Sequence, residues 1–468
     1  MTPRVAVIGA GIAGVSAAWE LRRQLGPEAN IMLVEAYDRI GGKLKTVNFA
    51  GGPVDMGAEA FLAFRRDFVE LVEQVGLGHQ LRAPSTEYTS SLYCRGQLVD
   101  VPAATVMGIP ARGEDVQAIL PAEERRRIDE ERGGEPMTWE PGQDAAVGQL
   151  VEARFGRAVV DRLVTPLLGG VYSCGADGLG VRSTIPQLAA ALDRAGAGGA
   201  QFYLSDVVAD LLAVRTAGGA RRSGPVFQTL AGGFRSLLEQ MVLQADPEIL
   251  FNTAVESIGR SREGWYLEPI GTVDGVVLAA PAPTAALLLR DVADTAAGIL
   301  SDIELSSSVV VGMRFASDHG IPERSGVLLG PDAPTEAKAF TFSSRKWPHI
   351  AEHGGAFVRA SYGTYDQPWY VELPDRALIN FAAEDLEAIT GERKRPEEYF
   401  VQRWHGGLPR YGVGYAEALK VAMDSVAAVP TFALAGAMVD GVGVPATAAS
   451  GIAAARRLAA DLSPSPRP

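Results

Sequence analysis

The sequence predicts an α/β fold: a discontinuous Rossmann-like nucleotide-binding domain interleaved with a mixed-sheet domain and a helical insertion. Three observations predict it. The apolar run Val5-Ala6-Val7-Ile8 passes directly into Gly9-Ala10-Gly11-Ile12-Ala13-Gly14 and then into the helical pattern of Val15 to Leu21, which reads as strand, glycine turn and helix. A second apolar strand, Ile31-Met32-Leu33-Val34, closes on Glu35, about twenty residues beyond the last glycine. Further strand and helix signals of this kind lie in the third quarter of the chain and at its C-terminus, so the nucleotide domain is assembled from separated segments.

Each part of the first unit has its own physical reason. Gly9 permits the tight turn, Gly11 lets backbone approach a pyrophosphate, and Gly14 lets the helix pack on the strand with its terminal N–H groups turned toward phosphate. At the end of the second strand, Glu35 is placed to accept hydrogen bonds from ribose hydroxyls, and a carboxylate there disfavours a 2′-phosphate. A dinucleotide is the implied ligand. A loop then leads to Ile40-Gly41-Gly42-Lys43-Leu44, a second glycine pair whose backbone can approach the diphosphate while Lys43 adds positive charge.

In the third quarter, residues 248–251, 254–258, 264–267 and 276–281 read as short strands split by turns, a meander flanking the nucleotide fold. Near the end, Thr431 to Gly436 is a buried strand, and Asp440-Gly441-Val442-Gly443-Val444-Pro445 turns into an alanine-rich helix reaching Leu462, with Pro445 suited to its first turn. Two insertions separate these blocks. Residues 112–142 are dense in charge and read as a solvated helix or mobile loop, and helical patterns dominate from Ala145 to Leu192. From about Leu305 to Tyr415, strand-like runs such as 308–313 and 356–360 alternate with helical ones, as in a mixed sheet. The tail Ser463 to Pro468 is polar and proline-rich and is expected to fray.

The balance of 47% hydrophobic and 21% charged residues in 468 is that of a globular protein with two or three cores. A net charge of −13 argues against general affinity for nucleic acid or an anionic membrane. Cys94 and Cys174, 80 residues apart, supply neither a disulfide framework nor metal-ligand spacing, which fits a reducing cytoplasm. His349 and His353 follow Pro348 with no third ligand and read as surface histidines, so no metal is expected. No secretory leader is expected, since the first apolar residues read as a strand of the nucleotide fold, and the longest apolar run, Val276 to Leu289, is interrupted by two prolines and falls short of the roughly eighteen residues of a membrane span. An integral membrane protein is therefore not expected.

The Gly41-Gly42-Lys43 run together with Val54-Asp55-Met56-Gly57-Ala58-Glu59 resembles the start of the FAD-dependent amine oxidase and porphyrinogen oxidase superfamily, which makes FAD the expected cofactor. Further segments resemble the protoporphyrinogen/coproporphyrinogen oxidase family, in order along nearly the whole chain. They are Gly51 to Phe61, Val164-Thr165-Pro166-Leu167-Leu168-Gly169-Gly170-Val171-Tyr172-Ser173, Phe227 to Gly233, Ser344-Arg345-Lys346-Trp347-Pro348, Arg403-Trp404 with Leu408 to Tyr411, and Asp440 to Pro445. Lys43 stands where many members have arginine, keeping the charge and losing the planar fork.

The resemblance implies FAD contacts at Gly9, Ala10, Gly11, Ile12, Ala13, Gly14, Glu35, Ala36, Gly42, Lys43, Gly57, Ala58, Glu59, Ala60, Val255, Trp404, Val442, Gly443 and Val444. It implies a substrate pocket at Gly169, Tyr172 and Arg345, with Arg65, Arg66, Arg345 and Lys346 as candidate partners of substrate carboxylates. Gly169-Gly170 is expected to end a helix in left-handed backbone beside a stacking Tyr172, and Gly232-Gly233 to aim the following helix N-terminus at flavin or substrate. The N-terminus of the alanine-rich helix that follows the Asp440 to Pro445 turn is expected to stabilise negative charge on the pyrimidine end of a reduced flavin.

The implied reaction removes six electrons from coproporphyrinogen III in three two-electron steps, hydride passing to flavin N5 and dioxygen giving hydrogen peroxide; no protein side chain is singled out as acid or base. The absence of an apolar anchor favours the soluble bacterial type over the membrane-bound protoporphyrinogen IX oxidases. Expected boundaries are 1–62, 222–300 and 425–468 for the FAD domain, 63–105 and 301–424 for the substrate domain, and 106–221 for the helical insertion. A transient ferrochelatase contact is a possible partner interaction. Two rival readings stay open: another FAD oxidase, acting on amines or carotenoids, and a flavin-bearing partner protein or sensor that has lost its substrate site.

Overall fold

The computed structural model describes residues 2–49, 51–217 and 224–463. The expectation of a frayed tail at 464–468 lies outside the described residues. They fold as two compact units, Met1–Ala83 with Val226–Glu304 and Glu417–Pro468, and Pro84–Pro225 with Leu305–Ala416.

The first unit is built on a five-stranded parallel sheet. In spatial order its strands are Glu248–Leu250, Asn30–Val34, Arg4–Ile8, Gly275–Leu278 and Phe432–Leu434. All five are short and apolar, as strands covered on both faces must be. The chain order reverses across Arg4–Ile8, whose neighbours are the second strand on one side and a strand some 240 residues later on the other. That reversal is the point at which doubly wound sheets bind nucleotides.

The Ile12–Leu25 helix covers the sheet and packs on the C-terminal Val444–Leu462 helix at very close range. A methyl group at Gly451 would lie 2.0 Å from the Ala13 carbonyl oxygen. Buried Glu20 fastens the same interface by accepting from Arg456 at 2.7 Å and Arg23 at 3.1 Å. Of the expected meander, 248–250 and 275–278 prove to be sheet strands; only Ser257–Ser261, Gly264–Glu268 and Gly271–Val273 form an antiparallel meander. Residues 254–256 are loop, because 248–250 is consumed by pairing with the second strand and the chain must cross to the meander.

The second unit holds a seven-stranded mixed sheet in the order Glu398–Pro409, Leu305–Phe315, Ala356–Tyr362, Ala339–Thr341, Gly326–Leu328, Ser90–Cys94 and Gln97–Asp100. All its pairings are antiparallel except Gly326–Leu328 with Ser90–Cys94. A helical section with its own apolar core runs from Val147–Phe155 to Leu204–Ala217.

The charge-dense stretch 112–142 is not a detached loop. Val116, Ile119, Leu120, Ile128 and Trp139 are buried, and buried Glu131 accepts from the Leu204 and Ser205 N–H groups, each at 2.9 Å, and from Arg154 at 2.7 Å. One carboxylate thereby caps the N-terminus of the Leu204–Ala217 helix, and the apolar residues between the charges supply the packing.

Candidate functional site

In the first unit, residues named on the sequence as cofactor contacts collect beyond the C-terminal ends of the parallel strands. Gly9 follows Arg4–Ile8 with φ of 102°, and a Cβ there would meet the Ala279 carbonyl oxygen at 2.7 Å. Gly14 has no room either: its Cβ would lie 1.8 Å from the Gly9 carbonyl oxygen. At Gly11, by contrast, nothing lies within 4 Å of the added carbon. Two glycines fix the turn and the third opens it to a ligand.

The second glycine pair is brought directly against the first. The Gly41 N–H donates to the Ala10 carbonyl at 2.7 Å, Gly11 and Gly41 form a parallel bridge, and a Cβ at Gly42 would sit 3.1 Å from the Gly11 Cα. Arg39, which sequence reading left in a loop, holds this turn by donating to the carbonyls of Ile40, Leu44 and Gly42. An arginine shortly before a glycine pair was the available signal.

Glu35 is 8% exposed, and its carboxylate accepts from the Ala10 N–H at 2.8 Å and the Tyr37 N–H at 3.0 Å. Two acceptor positions of the four remain for a ribose. Ala36 beside it is exposed, and Val255 is half-buried in the loop that follows the Thr253 N–H bond to the Glu35 carbonyl.

Lys43 is partly accessible, yet burial pushes its ammonium down to about 8, and no carboxylate opposes that shift. The Ile12–Leu25 helix opens at Gly11 with no side-chain cap and no acid in its first turn. An unpaired cation, uncapped helix N–H groups and open space over Gly11 fit the diphosphate of a dinucleotide. The Val444–Leu462 helix likewise opens at Gly443 without a side-chain cap, with half-buried Val442 and exposed Gly443 ahead of it. Gly57, Glu59 and Ala60 are half-buried and Ala58 exposed, after the Thr46–Phe49 and Gly52–Asp55 hairpin.

The Gly232-Gly233 expectation is corrected. The Gly233–Ala245 helix starts with its Phe234 N–H on the Asp55 carboxylate at 3.3 Å and its Arg235 N–H on the Thr46 hydroxyl at 3.0 Å. Its N-terminus is therefore capped from within the protein, and the left-handed Gly233 lies too close to Thr46 to accept a side chain.

In the second unit, the Thr165–Tyr172 helix runs straight through Gly169-Gly170, and the left-handed residue that ends it is Ser173, with φ of 50°. Gly170 serves packing instead: a Cβ there would meet the Leu328 side chain at 3.2 Å. Gly170 and Val171 face solvent, Val171 at 47%, and the half-buried Tyr172 tilts against Tyr411 at 5.8 Å while its hydroxyl donates to the Thr184 carbonyl at 3.3 Å. Gly169 is buried. Trp404 sits on the Glu398–Pro409 strand opposite Ser308.

Two of the arginines read as carboxylate partners, Arg345 and Arg65, are engaged. Arg345 pairs with Asp318 at 2.8 Å and lies over the Tyr88 ring, and Arg65 of the first unit pairs with Asp67 at 2.6 Å. Lys346 lies 5.1 Å from the Trp347 ring centroid, and Arg66 is exposed at a helix start. His349 and His353 are half-buried rather than surface residues, and burial lowers the His353 imidazole.

Sequence reading missed Lys338. It donates to the Ser173 hydroxyl at 2.7 Å and the Gly363 carbonyl at 2.6 Å, has no carboxylate partner, and is pushed down to about 7 by burial.

The chain matches the model of the flavin-containing amine oxidoreductases over residues 12–459. It is 37% identical to a coproporphyrinogen III oxidase of Mycobacterium leprae over 94% of both chains, and 28% identical to that of Bacillus subtilis over the same shares. A solved structure from Exiguobacterium sp. 255-15, assigned as a protoporphyrinogen oxidase, superposes with a TM-score of 0.85 at 28% identity, covering 98% of this chain and 99% of its own. No helix among the described residues is long and apolar enough to cross a membrane. The chain therefore belongs to the flavin-containing amine oxidoreductase family and, within it, groups with the bacterial coproporphyrinogen III oxidases.

Proposed function

We propose that the protein is an FAD-dependent oxidase that converts coproporphyrinogen III to coproporphyrin III in heme biosynthesis. The observation that carries this reading is the extent of the likeness: 94% of the chain aligns at 37% identity, so both the nucleotide fold and the second unit are shared. An amine oxidase relative would be expected to share the first and diverge in the second.

FAD bound in the first unit would supply a two-electron acceptor that takes hydride from a methylene carbon in each of three steps and passes the electrons to dioxygen as hydrogen peroxide. The chain's own residues hold the cofactor. Gly9 to Gly14 and Gly42 bring backbone to the diphosphate, Lys43 neutralises it, and Glu35 with Ala36 takes the adenosine ribose. Gly57 to Ala60, Val255 and Val442 to Val444 complete the cofactor surface, and the uncapped helix beginning at Val444 favours negative charge near its end.

In the second unit, the apolar face made by Gly170, Val171 and Tyr172 suits one side of a flat macrocycle. A six-electron oxidation takes three such transfers, so three hydrides and three protons leave; of these six hydrogens four come from the methylene bridges and two from pyrrole N–H groups. Two buried, unpaired cysteines fit a protein of the reducing cytoplasm. Dioxygen is the co-substrate and a ferrochelatase the receiver of product on this reading.

The test is a comparison of initial rates with coproporphyrinogen III, protoporphyrinogen IX and a panel of amines, read by porphyrin fluorescence and peroxide. Preference for the four-carboxylate substrate is expected; faster turnover of the two-carboxylate substrate would move the protein to the protoporphyrinogen type. Amine turnover without porphyrin would overturn the proposal.

A further inference from the structure

Lys338 has an unusual setting for a lysine. It precedes the Ala339–Thr341 strand, and its backbone N–H is bonded to the Ser361 carbonyl at 2.9 Å. The ammonium reaches the turn that ends the Thr165–Tyr172 helix, where it meets the Ser173 hydroxyl and, on the other side, the Gly363 carbonyl. Both partners are neutral. An ammonium carries three donors, and among the described residues it meets these two acceptors and no carboxylate. The residue as a whole is half-buried, and the surrounding protein desolvates its ammonium.

The turn it grips borders the exposed Gly170-Val171 face. Ser173 is left-handed, its N–H donates to the Gly169 carbonyl at 3.0 Å, its carbonyl accepts from the Tyr365 N–H at 2.7 Å, and the Tyr172 carbonyl accepts from the Ser306 hydroxyl at 3.3 Å. Asp366 lies by the same turn, its Oδ2 3.8 Å from where a Cβ on Gly175 would stand, and the other neighbouring charges are engaged. Asp385 accepts the Glu336 and Ala337 N–H groups and the Tyr362 hydroxyl, Glu336 accepts the Tyr370 hydroxyl, Asp332 pairs with Arg162, and Arg410 lies over the Tyr365 ring.

We propose that Lys338 is a substrate-binding residue: its remaining N–H and unpaired charge receive a carboxylate of the tetrapyrrole lying against Gly170, Val171 and Tyr172. The proposal rests on the porphyrinogen oxidase reading. A carboxylate supplies the counter-ion the protein withholds, and such a charge-assisted bond is stronger than the two neutral ones already made. The engaged state of Arg345 leaves Lys338 as the better-placed cation of this unit. The lowered amine supports the assignment, since a carboxylate docking there restores its charged form.

The experiment uses the FAD-loaded enzyme and two variants, Lys338→Met and Lys338→Arg. Steady-state rates are taken with coproporphyrinogen III between pH 6 and 9, and binding of the product coproporphyrin III is measured separately by the shift of its Soret band. Lys338→Met is expected to raise KM roughly tenfold or more with a smaller change in kcat, and to weaken porphyrin binding alike. In the wild type 1/KM falls as pH rises above about 7, and in Lys338→Met that dependence disappears. Lys338→Arg is expected to recover part of the affinity with the pH dependence removed.

A Lys338→Met enzyme whose KM and porphyrin affinity stay within twofold of the wild type overturns the proposal, as does a KM change that keeps the wild-type pH dependence. Should Lys338→Met fail to fold, Ser173→Ala removes the hydroxyl that aims the amine; an unchanged KM and pH profile there also overturns it. A wild type that forms no porphyrin at all instead sinks the functional reading on which this rests.

Discussion

Lys43 carries the sharpest prediction at the scale of single residues. Burial holds its amine near 8 without cofactor, whereas a bound diphosphate favours the ammonium. Binding of FAD to the apoprotein is then accompanied by proton uptake above that pH. Affinity is full below about 8 and falls as pH rises through it, by at most about tenfold per pH unit. Flavin fluorescence titrations between pH 6.5 and 10 check this, with Lys43→Arg expected to flatten the curve and Lys43→Met to weaken binding by about 1.5–3 kcal/mol at neutral pH. A pH-independent wild-type affinity would contradict it.

The residues legible in the sequence are those with a local backbone requirement. Gly9 and Gly14 have no room for a side chain, and Glu35 closes a strand at fixed spacing. Lys338 was not legible, because a lysine ahead of a short strand has the pattern of a surface charge until the fold encloses it. Arg345 read as free for a ligand, whereas Asp318, distant from it in the chain, claims it.

Among the elements, the close crossing of the Ile12–Leu25 and Val444–Leu462 helices sets a second test. Gly451→Ala forces a methyl against the Ala13 carbonyl and is expected to destabilise the first unit by about 1–3 kcal/mol, read as a lowered midpoint in denaturant unfolding. A third concerns the helix cap that sequence reading gave to a ligand. Asp55→Ala leaves the Phe234 N–H unsatisfied and is expected to cost about 1–3 kcal/mol of stability; a loss of FAD affinity with stability intact would return that helix N-terminus to the cofactor. The strands and the C-terminal helix followed from hydrophobic runs and turn residues. Which strands joined the parallel sheet did not, because 248–250 pairs with a partner more than two hundred residues earlier. The Gly169-Gly170 pair misled for a related reason: Gly170 answers the Leu328 side chain of another strand, and left-handed Ser173 held by Lys338 ends the helix in their place.

For the molecule as a whole, two compact units divide the labour on the proposed reading: one offers an uncapped helix, paired glycine turns and Lys43 to a dinucleotide, the other an apolar face beside Lys338, whose two acceptors are both neutral. The nucleotide fold was visible from its fingerprint, and the substrate class only from ordered motifs spread along the chain. The most direct measurement of the central claim is peroxide counted against porphyrin when the purified flavoprotein consumes coproporphyrinogen III in air. The account predicts three peroxides per coproporphyrin formed, with oxygen uptake to match. Flavin that stays oxidised when the porphyrinogen is added anaerobically, with no catalysed porphyrin on admitting air, would contradict it.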